Sequence, residues 1–232
     1  MSHAVYLAID TATYDKFKYV EAQLNESSKD KLAHELGEVL ADASVQVIEQ
    51  VFIQLLERQK ARSLQADRQQ MAKDSEKVID HVLAACKKYL PWSIALISNE
   101  RLVPLVEYFS QLIVHQEKQV FIRYAVDDVL VDEAFTKIDE VRDGQAASIP
   151  DAFICLNKII DAGVDQLVRT PKTLLKFNFI VNKTLNGAIQ VSTNMAYKRL
   201  AALGKEVHIE SAPHYIDHFL SFLQTDNKKS SS

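Results

Sequence analysis

Glycine and proline are scarce in this chain of 232 residues, with five of each. Glycine usually makes up about 7% of a globular protein. Sheet-rich folds consume both residues in tight turns, so their scarcity argues against a strand-dominated architecture. Five scattered glycines, Gly37, Gly144, Gly163, Gly187 and Gly204, cannot build a phosphate-cradling loop. No Walker, dinucleotide-binding, nucleophile-elbow or HExxH motif occurs. No apolar run approaches the ~18 residues that span a bilayer. The opening "MSHAVYLAID" has neither the positive start nor the apolar core of a signal peptide. These readings lead us to expect a cytoplasmic protein with no membrane insertion.

Cysteine is limited to Cys86 and Cys155, each within a helical pattern and neither in a CxxC pair. Buried, reduced thiols are the expectation. The net charge of −4 argues against bulk binding to nucleic acid. A di-iron bundle needs Glu three residues before His on two helices. Here Lys31, Val78, Leu112, Lys205, Ser211 and Tyr215 hold that offset, so no di-iron cofactor is expected.

What remains is rich in Ala, Leu, Gln, Glu and Lys, which favour helix. "AVYLAI" at 4–9 reads as a strand or a packed arm, and 13–24 as a short helix. Ser27 or Ser28 is the expected cap of a long helix through 28–56. In "VQVIEQVFIQLL" at 45–56 only Gln46, Glu49, Gln50 and Gln54 are polar. A helix so apolar must be covered on most sides, which makes it the expected centre of the fold. Either Gly37 breaks this helix or one end projects.

Downstream, Pro91 is expected to close a helix, and Pro104 to start or kink the next. "KQVFIRYAV" at 118–126 suits a strand or a buried helical segment. Residues 127–143 form an amphipathic helix with Gly144 as its C-terminal cap. Pro150 opens another helix. Residues 171–203 read as one helix or as two divided at Asn186–Gly187, and "KEVHIES" as a short strand or an extended crossing. The expected fold is therefore all-α: a bundle of about seven to nine helices, with a minor strand pair, forming one domain over 1–224 and a disordered tail over 225–232.

Candidate chemistry is thin. In "SAPHYIDHFL" His214 and His218 stand four apart, which puts both on one face of a helix beside Asp217. Zinc would need a third ligand, such as His208, Asp217 or Cys155. The competing reading is a polar rim on a helix docked by Ile216, Phe219, Leu220 and Leu223. His34 with Glu35 and Glu38, and Asp80 with His81, read as outer faces of amphipathic helices. Phe52, Phe109, Phe121, Phe135, Phe177 and Phe179 read as core or as the lining of an apolar ligand pocket.

Charge is unevenly spread. Residues 58–73 carry Arg58, Lys60, Arg62, Arg68 and Lys73 against Asp67. Residues 127–143 carry seven acids against Lys137 and Arg142. Attraction between such stretches, within one chain or across a dimer, would weaken with salt. The function expected from these features is a non-enzymatic interaction protein that acts through protein–protein contacts and self-associates. The alternatives are a bundle holding an apolar small molecule or lipid, and an enzyme whose site assembles in space near His214 and His218.

Overall fold

The computed structural model describes residues 2–26, 28–54, 56–57 and 66–226. It is 75% helical, with eight α-helices of nine residues or more among the described residues and a small antiparallel sheet. The expected helical class is borne out, and the strand pair grows to four strands. In chain order these are β1 (Ser2–Ile9), β2 (Ile113–Gln116), β3 (Gln119–Val126) and β4 (Leu223–Asp226), arranged β2-β3-β1-β4. The helices are α1 (Thr11–Asn25), α2 (Ala33–Ile48), α3 (Ala66–Ile94), α4 (Asn99–Leu112), α5 (Asp128–Arg142), α6 (Ile149–Val164), α7 (Thr170–Leu174), α8 (Phe179–Glu206) and α9 (Ala212–Leu220). Two π-helical turns, Glu49–Ile53 and Asp165–Arg169, continue α2 and α6.

The chain divides into two compact units. The larger holds Leu7–Ile122 and Arg169–Ala196; the smaller holds Met1–Tyr6, Arg123–Val168 and Tyr197–Ser232. In the larger unit α2 packs along α3, and α1 packs on α2 and α4. Ala33, Leu36, Gly37, Val39, Leu40, Ala41 and Ala43 of α2 are buried. Gly37 does not break the helix. A Cβ there would lie 2.7 Å from Pro91 Cα, so glycine is what lets α2 close on α3. The 45–56 segment is covered less fully than expected: Val51 and Leu56 are buried, while Ile48, Phe52 and Ile53 pack half-buried on a cluster of Leu56, Ala72 and Ile79. Its polar stripe is only half solvated, because Gln46 and Gln50 turn onto the β1–α1 junction. In the smaller unit α9 packs on α5 and α6, burying Val131, Ile138, Phe153, Leu156 and Ile216.

Several local expectations are corrected. The long helix begins at Ala33, without a side-chain cap, and not at Ser28; Ser27 lies outside the described residues. The 28–32 loop is held by Asn99, whose amide donates to the Ser28 and Asp30 carbonyls (3.2 and 2.7 Å) and accepts from the Leu32 N–H. Pro91 and Pro104 both lie inside helices. The burial of Ile94, Leu102, Leu105 and Val106 around them outweighs one lost backbone bond each. Of the two readings of 171–203 the structure takes the divided one, but the break falls at 175–178, where Lys176 has a positive φ of 46°, and not at Asn186–Gly187. "KEVHIES" forms no strand, since α8 runs to Glu206. Thr225 and Asp226, placed in the tail, belong to β4, and 227–232 lie outside the described residues. Gly144 behaves as expected, with φ 89°, donating to the Val141 carbonyl while Gln145 donates to Glu140.

The element order repeats. Adding 117 carries α1, Thr11–Asn25, onto α5, Asp128–Arg142; adding 116 carries α2 and its π turn onto α6 and its π turn. Asp10 caps α1 by accepting from the Thr13 N–H, and Asp127 caps α5 by accepting from the Val129 and Leu130 N–H groups. Each π turn sends one glutamine amide onto the penultimate residue of a strand. Gln50 pairs with the backbone of Ala8 (3.1 and 3.4 Å), and Gln166 with that of Ala125 (3.0 and 2.8 Å). The buried positions of α2 at 33, 36, 37, 39, 40 and 43 map onto buried positions 149, 152, 153, 155, 156 and 159 of α6. The chain is thus built from two copies of one β-α-α-π plan, and the single central helix expected from sequence has a counterpart in α6.

Candidate interaction surface

The residues nominated for chemistry are occupied structurally. His218 is 5% exposed and meets the rings of Phe219 and Phe222 edge-on at 5.7 and 5.2 Å. It belongs to the core, which corrects the polar-rim reading. His214 is half-buried, and Asp217 is engaged by Arg142 at 2.7 Å. No group of three or more His, Cys, Asp or Glu side chains among the described residues is placed to hold a metal ion. Burial pushes the Cys86 thiol up to about 11, and chiefly burial raises that of Cys155, so both favour the unreactive neutral form. His34 pairs with Glu38 at 3.3 Å on an exposed face. Of the six phenylalanines, Phe109 is buried and Phe135 and Phe179 are exposed, so they do not all line an interior pocket.

A polar cluster that the sequence did not announce lies in the smaller unit. Tyr197 donates to Asp161 Oδ1 at 2.6 Å, and Asn157 donates to the Tyr197 carbonyl at 3.2 Å. Tyr124 is buried, and burial first, then Tyr197, raises its hydroxyl pKa. Its ring leaves no room, since a Cβ on Gly163 would sit 2.7 Å from Tyr124 Cζ. The cluster reads as a packed network in which the buried Asn157 Oδ1 alone lacks a hydrogen-bond partner among these groups.

The surface that stands out is the start of α8. Arg101 of α4 donates to the carbonyls of Leu175 and Lys176 and so fixes the positive-φ turn at Lys176. Asn178 then caps α8, accepting from the Val181 N–H at 3.0 Å. Lys172 of α7 donates to Asn182, at 2.9 Å, and to Asn186, binding α7 to α8. This scaffold presents Phe179 and Ile180, 79% and 75% exposed. On the same helix Val181, Leu185 and Ser192 form a buried seam. About 100° around the helix, Ile180, Thr184, Gly187 and Val191 form a second seam that is open to solvent. Val191 is 50% exposed, and a Cβ on Gly187 would meet nothing within 4 Å.

The surroundings are basic. Residues 169–196 carry Arg169, Lys172, Lys176 and Lys183 and no acid. That imbalance was readable in the sequence, where 58–73 drew attention instead; 58–65 lie outside the described residues. On the acidic side, Glu133 pairs with Lys158 at 3.1 Å, Glu140 with Lys137 at 3.0 Å and Asp128 with His3 at 2.8 Å. Asp132 and Asp143 have no ion-pair partner among the described residues and are exposed.

No protein-family model, curated protein or solved structure matches the chain. No described helix is long and apolar enough to cross a membrane.

Proposed function

We propose that this is a cytoplasmic, non-enzymatic interaction protein that works through protein–protein contacts, self-association included, with the start of α8 as its docking element. One observation carries the reading: α8 buries one apolar seam and leaves a second, Ile180–Thr184–Gly187–Val191, uncovered beside exposed Phe179. Large apolar side chains grouped this way on an ordered helix mark contact sites. The lack of a side chain at Gly187 lets a partner helix approach closely, and the 4-3-4 spacing is that of a helix-packing seam. The raised thiols and the engaged carboxylates support a binding role over catalysis.

Sedimentation over about a hundredfold range of concentration tests this. Phe179→Ser with Ile180→Ser should reduce association while leaving the circular dichroism unchanged. Wild type and the double variant both sedimenting as the same monomer throughout would refute self-association through this seam.

A further inference from the structure

Resting on that docking reading, we propose that the partner of the α8 seam is the acidic outer face of α5 on a second copy of this chain. The argument is charge complementarity between two surfaces of similar reach. Around the α8 seam, Lys176 and Lys183 are exposed and have no ion-pair partner among the described residues, and the whole 169–196 stretch lacks an acid. An α8-to-α8 pairing would set lysine against lysine, which disfavours symmetric contact through this seam.

The outer face of α5 offers the converse. Val129, Asp132, Thr136 and Asp139 recur at helical spacing and are exposed, with Asp143 at the C-terminal cap on the same side. Val129 is 75% exposed at the start of this face and Phe135 is exposed at its edge, so the acidic face carries its own apolar anchors. Asp132 and Asp143 are the charges not already answered within the chain. The α5 face spans 129–143 and the α8 seam 180–191, about 21 and 17 Å of helix at ~1.5 Å per residue. In an antiparallel pairing Phe135 can meet Ile180 and Phe179 while Asp132 faces Lys183 and Asp143 faces Lys176. One helix pair buries less than the ~800 Å² per partner of a standard interface, so the contact is weak and salt-sensitive, and exchanges readily.

Two surface variants of the full chain test this without risk to the fold. One is Lys176→Glu with Lys183→Glu; the other is Asp132→Lys with Asp143→Lys. The second also removes an acid from the C-terminal end of α5, where the helix dipole disfavours it. At low salt each variant alone should associate at least ~10-fold more weakly than wild type, and an equimolar mixture should recover most of that loss, because each supplies the face the other lacks. Recovery in the mixture and weakening of wild type by salt support the proposal. A mixture no better than its components, or association unchanged by either variant, overturns it. The same proteins are sedimented with vesicles of phosphatidylglycerol and phosphatidylcholine. Vesicle binding lost in the lysine variant, with no self-association in wild type, would assign the seam to anionic lipid: the second-copy partner falls while α8 stands as a docking element. If Phe179→Ser with Ile180→Ser alters neither readout, the docking reading itself falls.

Discussion

Replacing Gly37 by alanine should destabilise the larger unit, although alanine is the better helix former. The new methyl would meet Pro91 Cα at 2.7 Å, Pro91 O at 3.3 Å and Ile94 Cβ at 3.5 Å. The closest of these is main chain held in a helix, with a ring that cannot rotate aside, so α2 and α3 must separate. Overpacking of this kind costs about 1–3 kcal/mol. The intrinsic gain from Gly to Ala in a helix interior is about 1 kcal/mol. The net expectation is a loss of about 0–2 kcal/mol. Gly187→Ala supplies the contrast, because nothing lies within 4 Å of its Cβ. It should gain about 0.5–1 kcal/mol. Each kcal/mol moves the melting temperature by about 2–4 °C in a chain of this size. The two variants should therefore separate by about 1–12 °C, with Gly37→Ala the lower. The single tryptophan, Trp92, sits next to Pro91 and reports this packing by fluorescence, which avoids averaging over the smaller unit. Gly37→Ala melting above wild type would refute the close approach of α2 to α3.

Gln50→Ala and Gln166→Ala each remove a pair of bonds to a strand backbone, so urea midpoints should report similar losses of about 1–2 kcal/mol; an effect confined to one would deny their equivalence. Tyr197→Phe leaves Asp161 without its 2.6 Å donor and should cost about 1.5–3 kcal/mol by the same measure. Asp10 is held below its ordinary value of 3.8, first by the Thr13 backbone N–H and then by the Thr13 side chain. Its folded pKa is depressed, so its contribution is complete above about pH 4 and lost as pH falls through the lower folded value. Asp10→Asn should accordingly flatten the acid limb of stability against pH, measured by urea midpoints between pH 3 and 6, roughly where carboxylates titrate.

Much of the architecture could be read from composition and period. The shortage of glycine and proline pointed to helices, and the buried positions of β3, Val120, Ile122, Tyr124 and Val126, follow a period of two. Gly144 was legible because a positive φ at a helix end has few solutions. Other features depend on contacts made far along the chain. The start of α2 is set by Asn99, some seventy residues away, and Pro91 and Pro104 stay inside helices because their neighbours are buried. The two-copy plan is nearly invisible in the letters. It survives as matched boundaries and burial, with only a few identities such as Ala8 with Ala125, Asp10 with Asp127, Leu40 with Leu156 and Gln50 with Gln166. His218 was misread because a polar residue at helical spacing looks solvated until its aromatic neighbours, Phe219 and Phe222, are seen around it.

The strand registers make Ser2 and Asp226 neighbours. β2 meets β3 through Gln116↔Gln119 to Ile113↔Ile122, across a tight hairpin. β4 meets β1 through Asp226↔Ser2 to Leu223↔Val5, which is the same ladder shifted by one copy, except that no peptide bond joins its ends. Linking 226 to 2 with a few residues and cutting at Glu117–Lys118 would reorder the chain without asking any strand to find a new neighbour. The sheet is indifferent to which of its two hairpins is covalent.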